Sequence, residues 1–471
     1  MATAPAATER TRSGAALLAV LMPAMLVTVI ASDMVNLMLP AIGAQFGASE
    51  AELAWVVTGF LLMFAIGIPF YGRISDRVSL RRLFAFALLV YAAGSLLCAL
   101  APNLPLLVAG RAITGAGAAA VPVLAIVAVT RLMPVDKRGT GIGAVSAAAG
   151  IGTAAGPAVG GGIGQLLGWP ALFWLMLAAS LALLPAAVRV LPGGVPARGG
   201  RFDLLGGALL GLGAGLALFA ITQGQTAGFD APRSWGSLAA AAVAFALFAW
   251  RTVGVANPFV PPALFANRVF RGSVATAFLA MAVNLGALVF VPVLIVDVNG
   301  LTPGEGALVM IPAGAAVAAL SPLVGRLTDR HGARPLLLAG LAVMALSALF
   351  LSTFADGGSA VPAAAGVLAL SIGFIFVMTP LISAAAGSLR ADEIGVGLGV
   401  LQGAQFLGAG AGPAVFGVLV AAALQGGSGA VNPLHSGGDG AAYSNAFLAM
   451  AAVSALALAL ASRMRPEGGS R

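Results

Sequence analysis

Apolar and polar residues alternate along the 471-residue chain in long blocks. Fourteen apolar stretches, each about 20 residues or more, are long enough to cross the hydrocarbon of a bilayer as helices. The first six run over 15–40, 52–72, 82–101, 104–130, 139–165 and 169–191. Two more cover 204–223 and 234–253, and the last six cover 271–297, 303–325, 334–354, 360–386, 393–423 and 441–463. The charged positions support that count. With both termini inside, every one of the 24 Lys and Arg residues lies in a cytoplasmic segment except Arg233, outside, and Arg111, within the fourth stretch. An odd number of spans would scramble this asymmetry. The expectation is a multi-pass protein of the cytoplasmic membrane with both termini cytoplasmic.

Two landmarks repeat in register. GRISDRVSLRR at 72–82 returns as GRLTDRHGARP at 325–335, pairing Gly72, Arg73, Asp76 and Arg77 with Gly325, Arg326, Asp329 and Arg330. Gly152-x-x-x-Gly156-Pro157 returns as Gly408-x-x-x-Gly412-Pro413, an offset of 256, and at that offset Gly139, Gly141 and Gly143 fall on Gly395, Gly397 and Gly399. The chain therefore reads as a six-helix bundle over 1–191, a linker with two inserted helices over 192–256, and a second six-helix bundle over 257–471. Internal repeats with short charged loops between apolar spans are a sign of a secondary transporter.

Composition fixes the class. A chain 60% hydrophobic and 8% charged, with mean hydropathy +1.02, is an all-α integral membrane protein whose main partner is the lipid bilayer. Its net charge of +8 is accounted for by loop arginines, so no nucleic-acid partner is expected. The single Cys98 excludes an intramolecular disulfide. The polar start, with Arg10 and Arg12, and the long first stretch predict an uncleaved first span and not a signal peptide.

The repeated GxxxDR loop resembles the signature of the major facilitator superfamily, as does Arg111-Ala-Ile-Thr-Gly115-Ala-Gly117 in the fourth span. The fifth-span run Gly152, Gly156, Pro157, Gly160, Gly161 resembles that superfamily's antiporter motif. With fourteen spans, the pattern looks like the fourteen-span drug:proton antiporters. RFDLLG at 201–206 and NPFVPPALFANRVF at 257–270 look closest to the tetracycline-exporter branch of Gram-positive bacteria. The resemblance implies the superfamily's fold, a loop latch that holds one of two alternating conformations, and a fifth-span face that seals the outer side. It implies no cofactor, protons as the coupling ion, and a monomer. The first loop departs from the family with Ser79 where glycine is usual; the second keeps Gly332.

Physical chemistry supplies part of this independently. Asp76 can accept hydrogen bonds from a neighbouring helix N-terminus or pair with arginines. Glycines 152, 156, 160 and 164 share one helix face and let another helix approach closely. Asp33 is the only acid well inside a predicted span and Arg111 the only base; both sit roughly 10 Å from the same face. Isolated charges there are expensive, so the two are expected to face a cavity and interact, with an aspartate that can change protonation.

The tetracycline branch carries acids beside the Gly-Pro of the fifth span and in the thirteenth, where this chain has Thr153 and Ala409. The expected substrate is accordingly a neutral or weakly charged amphipathic molecule, with Asn36, Trp55, Thr58, Asn284, Gln402 and Gln405 as candidate cavity groups. His331 and His435 lie in different loops, so no metal site, nucleophile–base pair or ATP-binding loop is expected, and no enzyme. Proton-driven efflux is the leading reading. A proton-linked importer or uniporter of a metabolite is the alternative on the same fold, and a lipid-handling or structural membrane protein without coupled transport is the rival from another class.

Overall fold

In lipid, a spanning segment satisfies its backbone N–H and C=O groups internally, so runs this apolar fold as helices. The computed structural model describes residues 5–35, 38–194, 203–228, 231–357, 359–427, 429–435 and 440–464; among them are seventeen α-helices and no strand. The first eight are α1 (Pro5–Asp33), α2 (Leu39–Phe46), α3 (Glu50–Ser75), α4 (Leu80–Ala99), α5 (Leu104–Ala118), α6 (Ala120–Leu132), α7 (Arg138–Leu167) and α8 (Trp169–Val190). A hairpin of α9 (Leu204–Ala227) and α10 (Pro232–Gly254) follows. After the short α11 (Ala263–Ala266) come α12 (Arg268–Asp297), α13 (Pro303–His331), α14 (Ala333–Phe354), α15 (Val361–Ser388), α16 (Ile394–Gly426) and α17 (Ala441–Ser462).

Among the described residues, thirteen helical stretches are long and apolar enough to cross a membrane. The fourteen predicted spans correspond to these thirteen plus α7, which runs unbroken for 30 residues against α1 and α13. One predicted span is corrected. The first, 15–40, stops as a helix at Asp33 and restarts at Leu39, because Pro40 has no N–H to return to residue 36. Asp33 is thus the last residue of α1 and not the middle of a longer helix. The fourth is one span over Leu104–Leu132, interrupted only at Ala119 between α5 and α6, where Pro122 cannot donate to the carbonyl of Ala118.

Helix starts follow the local chemistry. Ser49 and Glu52 form a reciprocal capping box on α3, Asn103 caps α5, and the Asn267 side chain accepts from the amides of Val269 and Phe270. The Ser79 departure has a structural reason. Its hydroxyl caps α4 by accepting from the Arg82 amide, whereas Gly332 precedes α14 at φ +80°, where glycine is at ease.

The repeat is visible in the packing. Helix α3 lies along α16, and α7 lies along α13, so each half contributes one helix to each of two long seams. The inserted α9 rests on both α3 and α16. Its base is tied by Asp203, whose nearly buried carboxylate accepts from the Arg251 guanidinium at 2.8 Å and from the amides of Gly206 and Phe259. Burial alone would raise this carboxyl, but those three donors hold it below its usual range. Phe259 in turn packs on Phe70 of α3, with ring centres 5.1 Å apart.

Candidate functional site

The two repeated loops meet opposite halves. Asp76, just past α3, accepts from the backbone amides of Gly395 and Val396, both at 2.9 Å, at the start of α16. Asp329, in the last turn of α13, accepts from the amides of Gly139 and Thr140 and from the Thr140 hydroxyl, each at 2.7 Å, at the start of α7. Each carboxylate therefore meets the positive end of a helix from the other half, where amides have no intrahelical partner. The first copy carries more charge. Arg131 pairs with Asp76 and also donates to the Ser75 carbonyl, while Arg73 donates to the Pro258 carbonyl. Burial pushes the Asp76 carboxyl up, and Arg131, the two amides and Arg73 oppose that push.

The glycines make this approach possible. A Cβ on Gly72 would sit 2.5 Å from the Gly395 carbonyl and 2.9 Å from the Gly399 Cα; one on Gly325 would sit 3.0 Å from the Thr140 Cα. Replacing Gly325 with valine forces the seam apart. We expect a cost of about 1–3 kcal/mol to the closed seam, read as increased thiol labelling of a cysteine placed at Thr140. Unchanged labelling would show that the seam tolerates the side chain. Arg77 is half-buried, whereas Arg326 and Arg330 are exposed beside the second loop.

Along α7, Gly152 and Gly160 face α1, where added Cβ atoms would meet Val29 and the Met34 carbonyl at 2.8 and 2.6 Å. Gly156 is buried and Gly161 half-buried, and the helix continues through residue 157. The Pro157 side chain lies outside the described residues.

Arg111 is fully buried in α5. Its Nε donates to the Val56 carbonyl of α3 at 3.1 Å and one terminal nitrogen donates to the Ala31 carbonyl of α1 at 3.3 Å. Ala31 belongs to the last turn of α1, whose carbonyls lack intrahelical partners, so the break at Asp33 creates the acceptor that the guanidinium meets. The other terminal nitrogen has no hydrogen-bond partner among the described residues. The guanidinium carbon stands 4.2 Å from the centre of the Phe60 ring. Phe60 stacks on Phe64, and Phe64 meets Phe406 of α16 edge-on at 4.9 Å. The Asp33 side chain, expected to meet Arg111, lies outside the described residues.

The family model described as Major Facilitator Superfamily matches residues 21–413. The chain belongs to the Major Facilitator Superfamily. Members of that superfamily are multi-pass membrane transporters and not enzymes. The multidrug resistance protein Stp of Mycobacterium tuberculosis is 32% identical over 292 residues, 62% of this chain and 54% of that protein. A multidrug resistance protein B homolog of the same organism is 30% identical over 288 residues, 60% of this chain and 53% of that protein. The chain spans about half the length of the curated relatives it matches. Among solved structures, the human organic anion transporter MFSD10 (TETRAN) superposes with TM-score 0.68 at 17% identity, covering 95% of this chain and 99% of that one. The proton:xylose symporter XylE gives 0.67 at 15% identity, covering 97% of each chain. At these identities the likeness is one of fold.

In this superfamily member, five of the six polar groups singled out in the sequence lie among the described residues. Thr58 lines a cleft of about 990 Å³ bounded by α3, α9, α12 and α16. Trp55 is exposed and packs on Phe219 of the inserted α9, with ring centres 5.5 Å apart. Asn284 is buried. Gln402 donates to the Pro122 carbonyl across the halves at 3.4 Å, and the side-chain nitrogen of Gln405 is buried without a hydrogen-bond partner among the described residues. Asn36 lies outside the described residues. Sequence reasoning had passed over Arg131, Thr140 and the Asp203–Arg251 tie. The glycine repeats at 139 and 395 were the legible sign of where the latch partners lie.

Proposed function

We propose that the chain is a proton-driven exporter of amphipathic small molecules, acting as a monomer in the cytoplasmic membrane with both termini and both latch loops inside. It belongs, in this reading, with the fourteen-span drug:proton antiporters, near the tetracycline-exporter branch. The observation that carries alternating access is the reciprocal latch: Asp76 and Asp329 each hold the first turn of a helix in the opposite half, so both release when the halves rock apart. Outward direction is supported by the relatives named as multidrug resistance proteins and by the glycine face of α7 against α1. Asp33 is the proton carrier and Arg111 its electrostatic partner; protons replace any cofactor. Thr153 and Ala409 favour a neutral or weakly charged substrate over a metal chelate.

A susceptibility panel of amphipathic antibiotics in a pump-deficient host tests the reading. Wild type should raise the inhibitory concentration of at least one compound, and Asp33→Asn should return it to the empty-vector level at equal membrane abundance. No protection by wild type against any compound counts against drug export. Full protection by Asp33→Asn moves the proton site elsewhere. A proton-linked importer would instead accumulate its solute inward with protons entering in the same direction, which separates the alternative directly.

A further inference from the structure

The cleft of about 990 Å³ has features that the transport cycle above does not use. Its walls come from both halves and from the insertion: Thr58 and Leu61 on α3, Phe219 on α9, Val289 on α12, and a long strip of α16. None of the lining side chains is ionisable. The strip on α16 extends from Phe406 to Gln425, so the cleft is a slot roughly 28 Å long and not a compact bowl. Leu61 and Val418 are 41% and 46% exposed, so the slot opens sideways, within the apolar zone of the bundle. Gln425 is exposed at the end away from the latch, and Phe406 closes the deep end against Phe64.

We propose that this slot binds the alkyl chain of a neutral amphiphile, with the polar head at Gln425 and the tail directed toward Phe406. The shape argues for a chain, and the absence of an ionisable lining group argues for an uncharged head. Lipid tails are as apolar as the slot, so apolar surface alone gives no preference over the bilayer. Selection comes from close packing against Phe219 and Phe406 and from the polar end. The slot also has a route to the buried cation, because Phe406, Phe64 and Phe60 are in contact in sequence beneath Arg111. Walls supplied by both halves change spacing as the halves rock, giving the ligand different affinities in the two states. The inserted hairpin then serves as the third wall. That the bound molecule is cargo rests on the exporter reading; that the slot binds it does not.

The test uses the full chain in nanodiscs of dioleoylphosphatidylcholine and hexadecanol carrying a mid-chain diazirine. After illumination, labelled residues are mapped by mass spectrometry. The label is expected to concentrate on α9 and α16 lining residues and to fall about tenfold, a 1.4 kcal/mol change in occupancy, in Ala409→Trp or Ala421→Trp. Both variants are compared at equal monodispersity and equal unfolding temperature, and either one suffices. Competition by excess unlabelled hexadecanol identifies a free amphiphile as the occupant. Displacement only by branched-chain diphytanoyl lipid identifies a bilayer lipid and overturns the assignment to a neutral amphiphile. Labelling spread evenly over lipid-facing helices, α10 included, and unchanged in both variants overturns it. Loss of labelling with normal pH-driven transport overturns the cargo assignment alone. Absence of pH-driven transport in wild type counts against the exporter reading and leaves the labelling result standing.

Discussion

Replacing Arg111 with alanine abolishes export against a gradient. The guanidinium is fully buried, donates to carbonyls of α1 and α3, and covers Phe60. Two hydrogen bonds from a charged donor contribute roughly 3–6 kcal/mol to the local arrangement, less what is recovered by relaxation. Their loss frees the end of α1 and, in the proposed cycle, removes the electrostatic partner assigned to Asp33. The proton step proposed at Asp33 then fails. Downhill exchange of substrate survives, because it needs the two conformations and not the proton step. Arg111→Lys restores part of the function, since a compact ammonium cannot reach the two carbonyls and the ring as the planar guanidinium does. Transport by Arg111→Ala at wild-type rate with unchanged pH dependence would remove the arginine from the coupling step.

Asp76→Asn slows turnover with little change in substrate affinity. The carboxylate accepts from two amides of α16 and from Arg131. An asparagine keeps one acceptor oxygen and turns an NH₂ toward donors. We expect the closed latch to lose about 2–3 kcal/mol, or roughly 30- to 150-fold in the conformational equilibrium. Asp329→Asn has a smaller effect, because its partners among the described residues are two amides and the Thr140 hydroxyl, with no guanidinium. Stopped-flow measurement of fluorescent substrate efflux, alongside equilibrium binding in detergent, separates rate from affinity. Equal rates in wild type and both variants would leave the loops with a topological role.

Much of this was legible in the sequence because it depends on local pattern or exact repetition. Apolar length gave the spans, and the 256-residue offset matched Gly139 with Gly395, which mark the two helix starts that Asp329 and Asp76 meet. The breaks at Asp33 and Ala119 were missed because apolar content hid the effects of Pro40 and Pro122. The Asp203 tie was missed for a different reason. RFDLLG and the segment beginning at Asn257 stood out separately, but nothing local pairs residue 203 with 251 and 259 across a helical hairpin. Among the candidate cavity groups, Thr58 lines the cleft and Asn284, Gln402 and Gln405 are buried, whereas Trp55 is exposed.

Proton-driven outward transport through the proposed latch-controlled cycle is measured in proteoliposomes in which only molecules with the latch side facing out are active, the opposite population being blocked by a membrane-impermeant thiol reagent at a cysteine introduced in the loop at 429–435. An acid interior is imposed, and uptake of the neutral dye N-phenyl-1-naphthylamine and internal pH are recorded together. The account predicts dye accumulation with simultaneous proton exit, both abolished by Asp33→Asn and both slowed by Asp76→Asn. Dye movement that ignores the pH gradient, or protons and dye leaving together, would contradict it.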